Sequence, residues 1–291
     1  MNGVKTMEVI DITYEPPRNQ EPIVLCIGKF DGVHLGHQRL LRVAADLAAG
    51  KAEMAVMSFS PHPAWALTGN ETYKKALTPI DEKLRLLEAL GVSRFYRVRF
   101  TKEYAKTDVD TFVFEHLSRL NVKAIVVGEG FNFGKPYDSG TEVLSKLCQQ
   151  IGISVIVVPV IRDGNSKLSS TIIRHCVTKG SFEKVQTLLG RPYQITGTLV
   201  EGSLPGDYLL HLTSEGNDGI EDYILPCEGS YKMKVWARSK KIVAASHFYA
   251  QGSCLADEEN SYRLSCPETE VALIKPFINQ EVCAMFIHRL G

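Results

Sequence analysis

No apolar run in this sequence approaches the ~18–20 residues that a membrane-spanning helix needs. The first residues, Met1 to Glu8, lack the basic start and following apolar stretch of a signal peptide. Excess charge of one sign is missing too: 33 Lys and Arg balance 33 Asp and Glu, so composition marks neither a nucleic-acid nor a membrane surface. The seven cysteines are odd in number, scattered, and form no Cys-x-x-Cys. That pattern speaks against a disulfide framework and for reduced thiols in a cytoplasmic protein. Internal repeats and low-complexity tracts are absent as well. What is present is a chain of 291 residues, 44% hydrophobic. It is long enough for two globular domains with a sizeable core. Oligomeric state is not legible.

The stretch Gly28-Lys29-Phe30-Asp31-Gly32-Val33-His34-Leu35-Gly36-His37 organises the chain. Before it, Ile23 to Ile27 is a continuous apolar run, which predicts a strand buried on both faces. After it, Leu40, Leu41, Ala44, Ala45 and Ala48 recur at helical spacing within Gln38–Ala49. A buried strand thus empties into a glycine-containing turn that opens a helix. A helix start offers backbone N–H groups and a positive dipole end, so it holds phosphate well. Gly28, Gly32 and Gly36 allow close approach to the backbone. His34 and His37, three apart, share one face and can donate hydrogen bonds to a phosphate whose charge grows in a transition state. A tight connection with two solvated histidines is the plain alternative. A zinc pair is a second, but His-x-x-His supplies two ligands at most, with no Cys or carboxylate at a matching spacing.

Strand and helix patterns alternate through the first half, which predicts a parallel, doubly wound α/β sheet. Met54–Phe59 reads as a strand ending at Ser60-Pro61-His62-Pro63, a rigid extended loop that holds His62 at the sheet's ligand-binding edge. Thr78-Pro79-Ile80-Asp81 starts a helix, Phe95–Val98 is a strand, and Val109–Leu120 is a helix. Lys123–Val127 is a strand that delivers Gly128-Glu129-Gly130-Phe131-Asn132-Phe133-Gly134-Lys135. This loop superficially suggests a Walker A motif, but Glu129 stands at a required glycine and Pro136 where Ser or Thr belongs. Val143–Ile151 is a helix and Ile153–Val160 the last strand. Ser169-Ser170-Thr171-Ile172-Ile173-Arg174 begins another helix, with Ser170 or Thr171 as cap and Arg174 one turn on, within reach of the same anion.

Gly28 to His37 resembles the nucleotidyltransferase signature of the bacterial FAD synthetases, the flavin-adenylating half of the bifunctional riboflavin kinase/FAD synthetases. Ser60–Pro63 resembles that family's Pro-His-Pro element, Gly128–Gly134 its flavin loop, and Ser169–Arg174 its Ser-Ser-Thr-x-x-Arg phosphate clamp. The resemblance implies a Rossmann-like nucleotidyltransferase domain that transfers the adenylyl group of ATP to FMN, giving FAD and pyrophosphate. It assigns Gly28, Phe30, Asp31, Gly32, Gly36, Ser170 and Thr171 to the nucleotide. His34, His37 and Arg174 are assigned to catalysis, and His62, Pro63, Phe131, Asn132 and Phe133 to the flavin. Magnesium is implied by the triphosphate, with no protein ligand named. One departure stands at Gly130, where the family carries Asp or Asn. It motivates two alternatives: an adenylyltransferase for a different small phosphate-bearing acceptor, or a catalytically weakened regulatory protein that binds flavin or nucleotide.

From about Tyr193 the pattern changes to short alternating strands, Tyr231–Val235, Ile242–Ala250, Tyr262–Cys266, Val271–Ile274 and Val282–Ile287, separated by turn residues. The expected division is residues 1–188 for the transferase and 189–291 for a small all-β barrel. Ile195–Gly202 and Pro226–Tyr231 resemble the family's riboflavin kinase barrel, and Glu270 falls where the kinase base sits. The family's Gly-Arg-x-x-Gly-Phe-Pro-Thr-Ala-Asn loop is replaced after Gly206 by Asp207–Thr213. The residues to Gly291 form no counterpart of the family's terminal helix. Kinase activity is therefore expected to be lost.

Overall fold

The computed structural model describes residues 6–133, 140–163, 166–203, 206–212, 222–238, 248–254, 261–266 and 271–290. Two compact units are present: Met1–Lys74 with Ile80–Leu168, and Lys75–Pro79 with Ser169–Gly291.

The first unit is a six-stranded parallel sheet of order β1-β4-β3-β2-β5-β6. Its strands are β1 (Glu8–Ile12), β2 (Ile23–Ile27), β3 (Glu53–Ser60), β4 (Arg94–Arg99), β5 (Val122–Gly128) and β6 (Ser154–Val158). The helices are α1 (Leu35–Ala48), α2 (Pro63–Thr68), α3 (Ile80–Ala89) and α4 (Thr141–Gln150), with a π-wound helix at Thr111–Leu117. Every residue of β2 is buried, and its side chains alternate between two cores as strand geometry requires. Val24 and Cys26 pack with Leu40, Leu41, Ala44 and Ala48 of α1. Ile23, Leu25 and Ile27 pack with Val113, Leu117 and Leu144 on the opposite face. The chain winds from β2 through β3 to β4 on one side, then crosses to β5 and β6 on the other. The order therefore reverses between β2 and β5, and ligands bind in the crevice at such a switch point.

The second unit holds α5 (Ser170–Thr178) and α6 (Phe182–Leu189) with six antiparallel strands. These are β9 (Gln194–Glu201), β10 (Asp207–Leu212), β11 (Ser230–Ala237), β12 (Phe248–Cys254), β13 (Ser261–Ser265) and β14 (Glu281–Leu290); β7 (Arg162–Asp163) and β8 (Ser166–Lys167) are a small hairpin of the first unit. Each of the six pairs with two neighbours. Tyr231, Met233 and Val235 of β11 are all fully buried, with exposed or part-exposed residues between them, the alternation of a half-buried strand.

Several local expectations change. Pro63 does not prolong an extended loop; it is the first residue of α2, where its fixed φ suits a helix start. Val271–Ile274 is a short helix, α7, not a strand. A four-residue apolar run fits either form, and here Ile274 and Phe277 turn inward together, three apart. The cap of α5 is Ser169 rather than Ser170 or Thr171. By compactness α5 and α6 group with the antiparallel strands. Residues 242–247 of one expected strand lie outside the described residues, as do Gly134–Pro136, Thr213 and Glu270. Among the described residues no helix is long and apolar enough to cross a membrane.

Candidate active site

β2 ends at Ile27, and the backbone is immediately tied to its neighbour strand: Gly28 N donates to Met57 O at 3.1 Å, and Ser58 Oγ to Lys29 O at 3.0 Å. The loop that follows carries strain at two residues. Phe30, Gly32 and Val33 have φ of 52°, 83° and 40°. For a non-glycine residue this region costs roughly 1–2 kcal/mol. Phe30 and Val33 are both fully buried against the α1 core, and burying such side chains contributes about 1.5–3 kcal/mol each. Packing therefore offsets the strain and holds the loop in one shape. Gly28 faces the Phe30 ring, where a Cβ would come within 3.3 Å. Asp31 is buried within the same turn. Strain of this kind gathers at sites that present backbone to a ligand.

His34 then caps α1. Its Nδ1 accepts from His37 N at 3.3 Å, which leaves Nε2 as the hydrogen-bearing nitrogen of the neutral ring. The two imidazoles stack with centroids 3.7 Å apart and planes 15° from parallel, and His37 also lies 4.9 Å from the Phe30 ring. Gly36 makes room for this pair: a Cβ there would meet His34 Cε1 and Nδ1 at 3.0 Å. Gln38 Nε2 donates to Val33 O at 3.0 Å and pins the loop to the helix. The Cys26 thiol, two residues before Gly28, is pushed up to about 12 by burial and is no nucleophile.

Two further loops leave the same strand ends. After β3, His62 Nδ1 accepts from Ala64 N at 3.1 Å as the cap of α2, with Pro63 beside it, and its ring stacks on Tyr73 at 4.4 Å. Tyr73 carries no local sequence signal; only folding brings it to His62, eleven residues away. After β5, Phe131 N donates to Gly128 O at 3.0 Å in a turn whose corner is Gly130, at φ 80°. Phe131 and Phe133 stack at 5.8 Å, Phe133 meets Phe112 at 5.6 Å, and Asn132 bridges to Gly140. The departure at Gly130 has a conformational reason. Asp and Asn are the side-chain-bearing residues that enter the left-handed region most readily, and Gly enters it more easily still. The neighbouring Glu129 carboxylate accepts from Val160 N at 3.2 Å.

The clamp segment belongs to the second unit. Ser169 Oγ accepts from Ile172 N at 3.4 Å, so Ser170 and Thr171 occupy the first turn of α5, the part of a helix that binds anions. Arg174 is buried, and its carbonyl accepts from Thr178 Oγ1 at 2.9 Å.

A parallel sheet whose switch point carries a strained glycine loop, a helix start and a histidine pair defines a nucleotide-handling α/β protein. The comparisons with known proteins narrow this. Residues 16–172 match the family model described as FAD synthetase. The FAD synthetase of Listeria monocytogenes is 42% identical over 226 residues, 78% of this chain and 87% of that protein. The bifunctional riboflavin kinase/FMN adenylyltransferase of Bacillus subtilis is 32% identical over 235 residues, 79% of this chain and 73% of that protein. A crystal structure of a protein named macrolide-efflux protein, from Streptococcus pneumoniae, superposes with a TM-score of 0.82 over 98% of this chain and 91% of its own. At 24% identity it speaks to the fold alone. The chain belongs to the FAD synthetase family.

Proposed function

We propose that this chain is an FMN adenylyltransferase, a nucleotidyltransferase that joins the adenylyl group of ATP to FMN and releases pyrophosphate. The observation that carries the reading is the stacked His34–His37 pair, held at a helix start by a buried, strained loop. An FMN phosphate oxygen attacks the α-phosphorus; the new P–O bond forms as the bond to the β-phosphate breaks, and pyrophosphate leaves with the electron pair. No covalent enzyme intermediate is required. Positioning and charge stabilisation supply the rate.

The residues take these roles. Gly28, Phe30, Asp31, Gly32 and Gly36 shape the cradle for the nucleotide. His34 Nε2–H and the His37 ring donate to the α-phosphate oxygens, whose charge grows in the transition state. Ser170, Thr171 and Arg174 hold the departing pyrophosphate. His62, Pro63, Phe131, Asn132 and Phe133 border the flavin, and Tyr73 backs His62. Gly130 keeps the flavin loop in its left-handed turn, which supports FMN over a different acceptor. Among the described residues no group of three or more His, Cys, Asp or Glu is arranged to hold a metal ion. We therefore treat magnesium as part of the substrate, MgATP, carried on phosphate oxygens. Among the described residues six cysteines are free thiols, in keeping with a cytoplasmic setting.

We assign residues 1–188 to the transferase and 189–291 to a kinase-derived domain, whose ring of antiparallel pairings supports a small barrel. Riboflavin phosphorylation is lost in this reading. Where the family has its magnesium and phosphate loop, this chain has β10, with Asp207 3.7 Å from Arg263 Nε and its carbonyl accepting from Gly202 N. The test of the whole reading is incubation with ATP, magnesium and FMN, followed by chromatography. FAD is expected; tight binding of both substrates with no FAD above background overturns the enzyme.

A further inference from the structure

The second unit holds more than antiparallel strands. The segment with the clamp residues, Ser169–Thr178, groups with it, and the contacts that fasten this helix are specific. Thr178, the last residue of α5, offers its carbonyl to Cys227 N at 2.8 Å. Cys227 is itself positioned by Tyr231, whose Oη donates to Cys227 O at 2.8 Å. Gly180 follows at φ 71°, pressed against the same tyrosine: a Cβ there would lie 2.7 Å from Tyr231 Oη. Phe182, at the head of α6, stacks on Phe286 of β14 at 4.3 Å and meets Tyr231 edge-on at 5.5 Å. Phe182, Tyr231 and Phe286 are at most 2% exposed. The clamp helix is thus gripped at its C-terminal end by a hydrogen bond, a close backbone approach and an aromatic cluster.

A second strap runs the same way. Lys75–Pro79, two residues after Tyr73, groups with this unit too. Ala76 N donates to Asp222 O at 2.7 Å and Ile224 N to Ala76 O at 3.0 Å, while Tyr193 Oη holds Ile224 O at 2.8 Å. Two segments adjoining proposed substrate-binding residues, one for pyrophosphate and one for flavin, are therefore anchored on one scaffold.

We infer that the antiparallel domain, without kinase chemistry, serves adenylyl transfer as the scaffold that fixes the Ser170–Arg174 clamp, with Tyr231, Gly180 and Phe182 as positioning residues. The inference rests on the proposed adenylyl transfer. A clamp is effective only if its Arg and hydroxyl groups are placed within a fraction of an ångström, and a misplacement of about 1 Å costs on the order of 10²-fold in rate. Such placement needs both ends of α5 defined. Ser169 defines the N-terminal end and the Cys227–Tyr231 turn the C-terminal end.

The experiment uses the full chain and two variants. Gly180→Ala forces a Cβ onto Tyr231 at a left-handed backbone position. Tyr231→Phe deletes only the hydroxyl that holds Cys227, and it carries the test if Gly180→Ala does not fold. Each is assayed for kcat of FAD formation, inhibition by added pyrophosphate, and FMN binding by flavin fluorescence. A tenfold or greater loss in kcat with weakened pyrophosphate inhibition and unchanged FMN affinity is expected for Gly180→Ala, with a smaller loss of the same pattern for Tyr231→Phe. Unchanged kcat and pyrophosphate inhibition in a folded variant overturns the scaffold. Equal weakening of pyrophosphate and FMN also overturns it, because that reports general loosening. Absence of FAD formation by the unmodified chain is a different result and overturns the enzymatic reading instead.

Discussion

Replacing His34 separates its two jobs. As the cap of α1 it accepts from His37 N; as a proposed donor it presents Nε2–H to the α-phosphate. Loss of a cap costs about 1 kcal/mol of stability. That corresponds to roughly 2–4 °C in melting temperature for a unit of this size. Loss of a preorganised donor costs about 10²–10³ in rate, equivalent to roughly 2.7–4 kcal/mol at the transition state. Folded domains hold about 5–15 kcal/mol in reserve, so the cap's loss leaves the protein folded and cannot by itself produce the rate effect. His34→Ala removes both functions. His34→Ser restores the cap, because serine is among the strongest capping residues, but its hydroxyl stops far short of the position of Nε2. The expected outcome is a lowered melting temperature for the alanine variant only, with a 10²–10³-fold rate loss in both. Initial rates of FAD formation and thermal unfolding by circular dichroism read the two effects. A serine variant that recovers most of the rate would refute the donor role and reduce His34 to a helix cap.

His37→Ala should lower kcat by about 10²–10³ while leaving ATP affinity near its starting value, since its partner charge grows only in the transition state; an unchanged rate in a steady-state assay contradicts this. Riboflavin with ATP and magnesium should give no FMN by chromatography, and FMN appearing at a rate close to that of FAD synthesis would mean that a magnesium and phosphate site survives. Gly130→Asn should keep the FMN KM within about threefold, because asparagine tolerates a left-handed turn and, among the described residues, a Cβ there meets only Lys167 Nζ at 3.6 Å. Gly130→Val should raise the KM well beyond that, and equal behaviour of the two variants would show that the turn's conformation does not matter.

Much of this protein was legible in the residues alone. Ile23–Ile27 read as a strand covered on both sides, since five successive apolar residues leave no polar face and a glycine-containing turn bounds the run. The glycine and histidine spacing then placed a helix start suited to phosphate directly after it, because capping and dipole effects act within one turn and need no distant partner. Alternation of strand and helix signals gave the parallel sheet for the same local reason. Tertiary structure decided the rest. The stacking of His34 on His37 depends on a loop that only the burial of Phe30 and Val33 can hold at positive φ. Tyr73 reaches His62, and Phe112 reaches Phe133, across folds of chain that no spacing encodes. Val271–Ile274 is helical because Ile274 and Phe277 need one interior face, a demand made by neighbours rather than by the run itself. The proposed clamp helix, which the motif order joins to the transferase, is tied to the antiparallel domain by the Thr178–Cys227 hydrogen bond, and the following helix by Phe182 on Tyr231 and Phe286. Local patterns carry motifs, while which surface a motif is fastened to depends on shape complementarity between residues far apart in sequence.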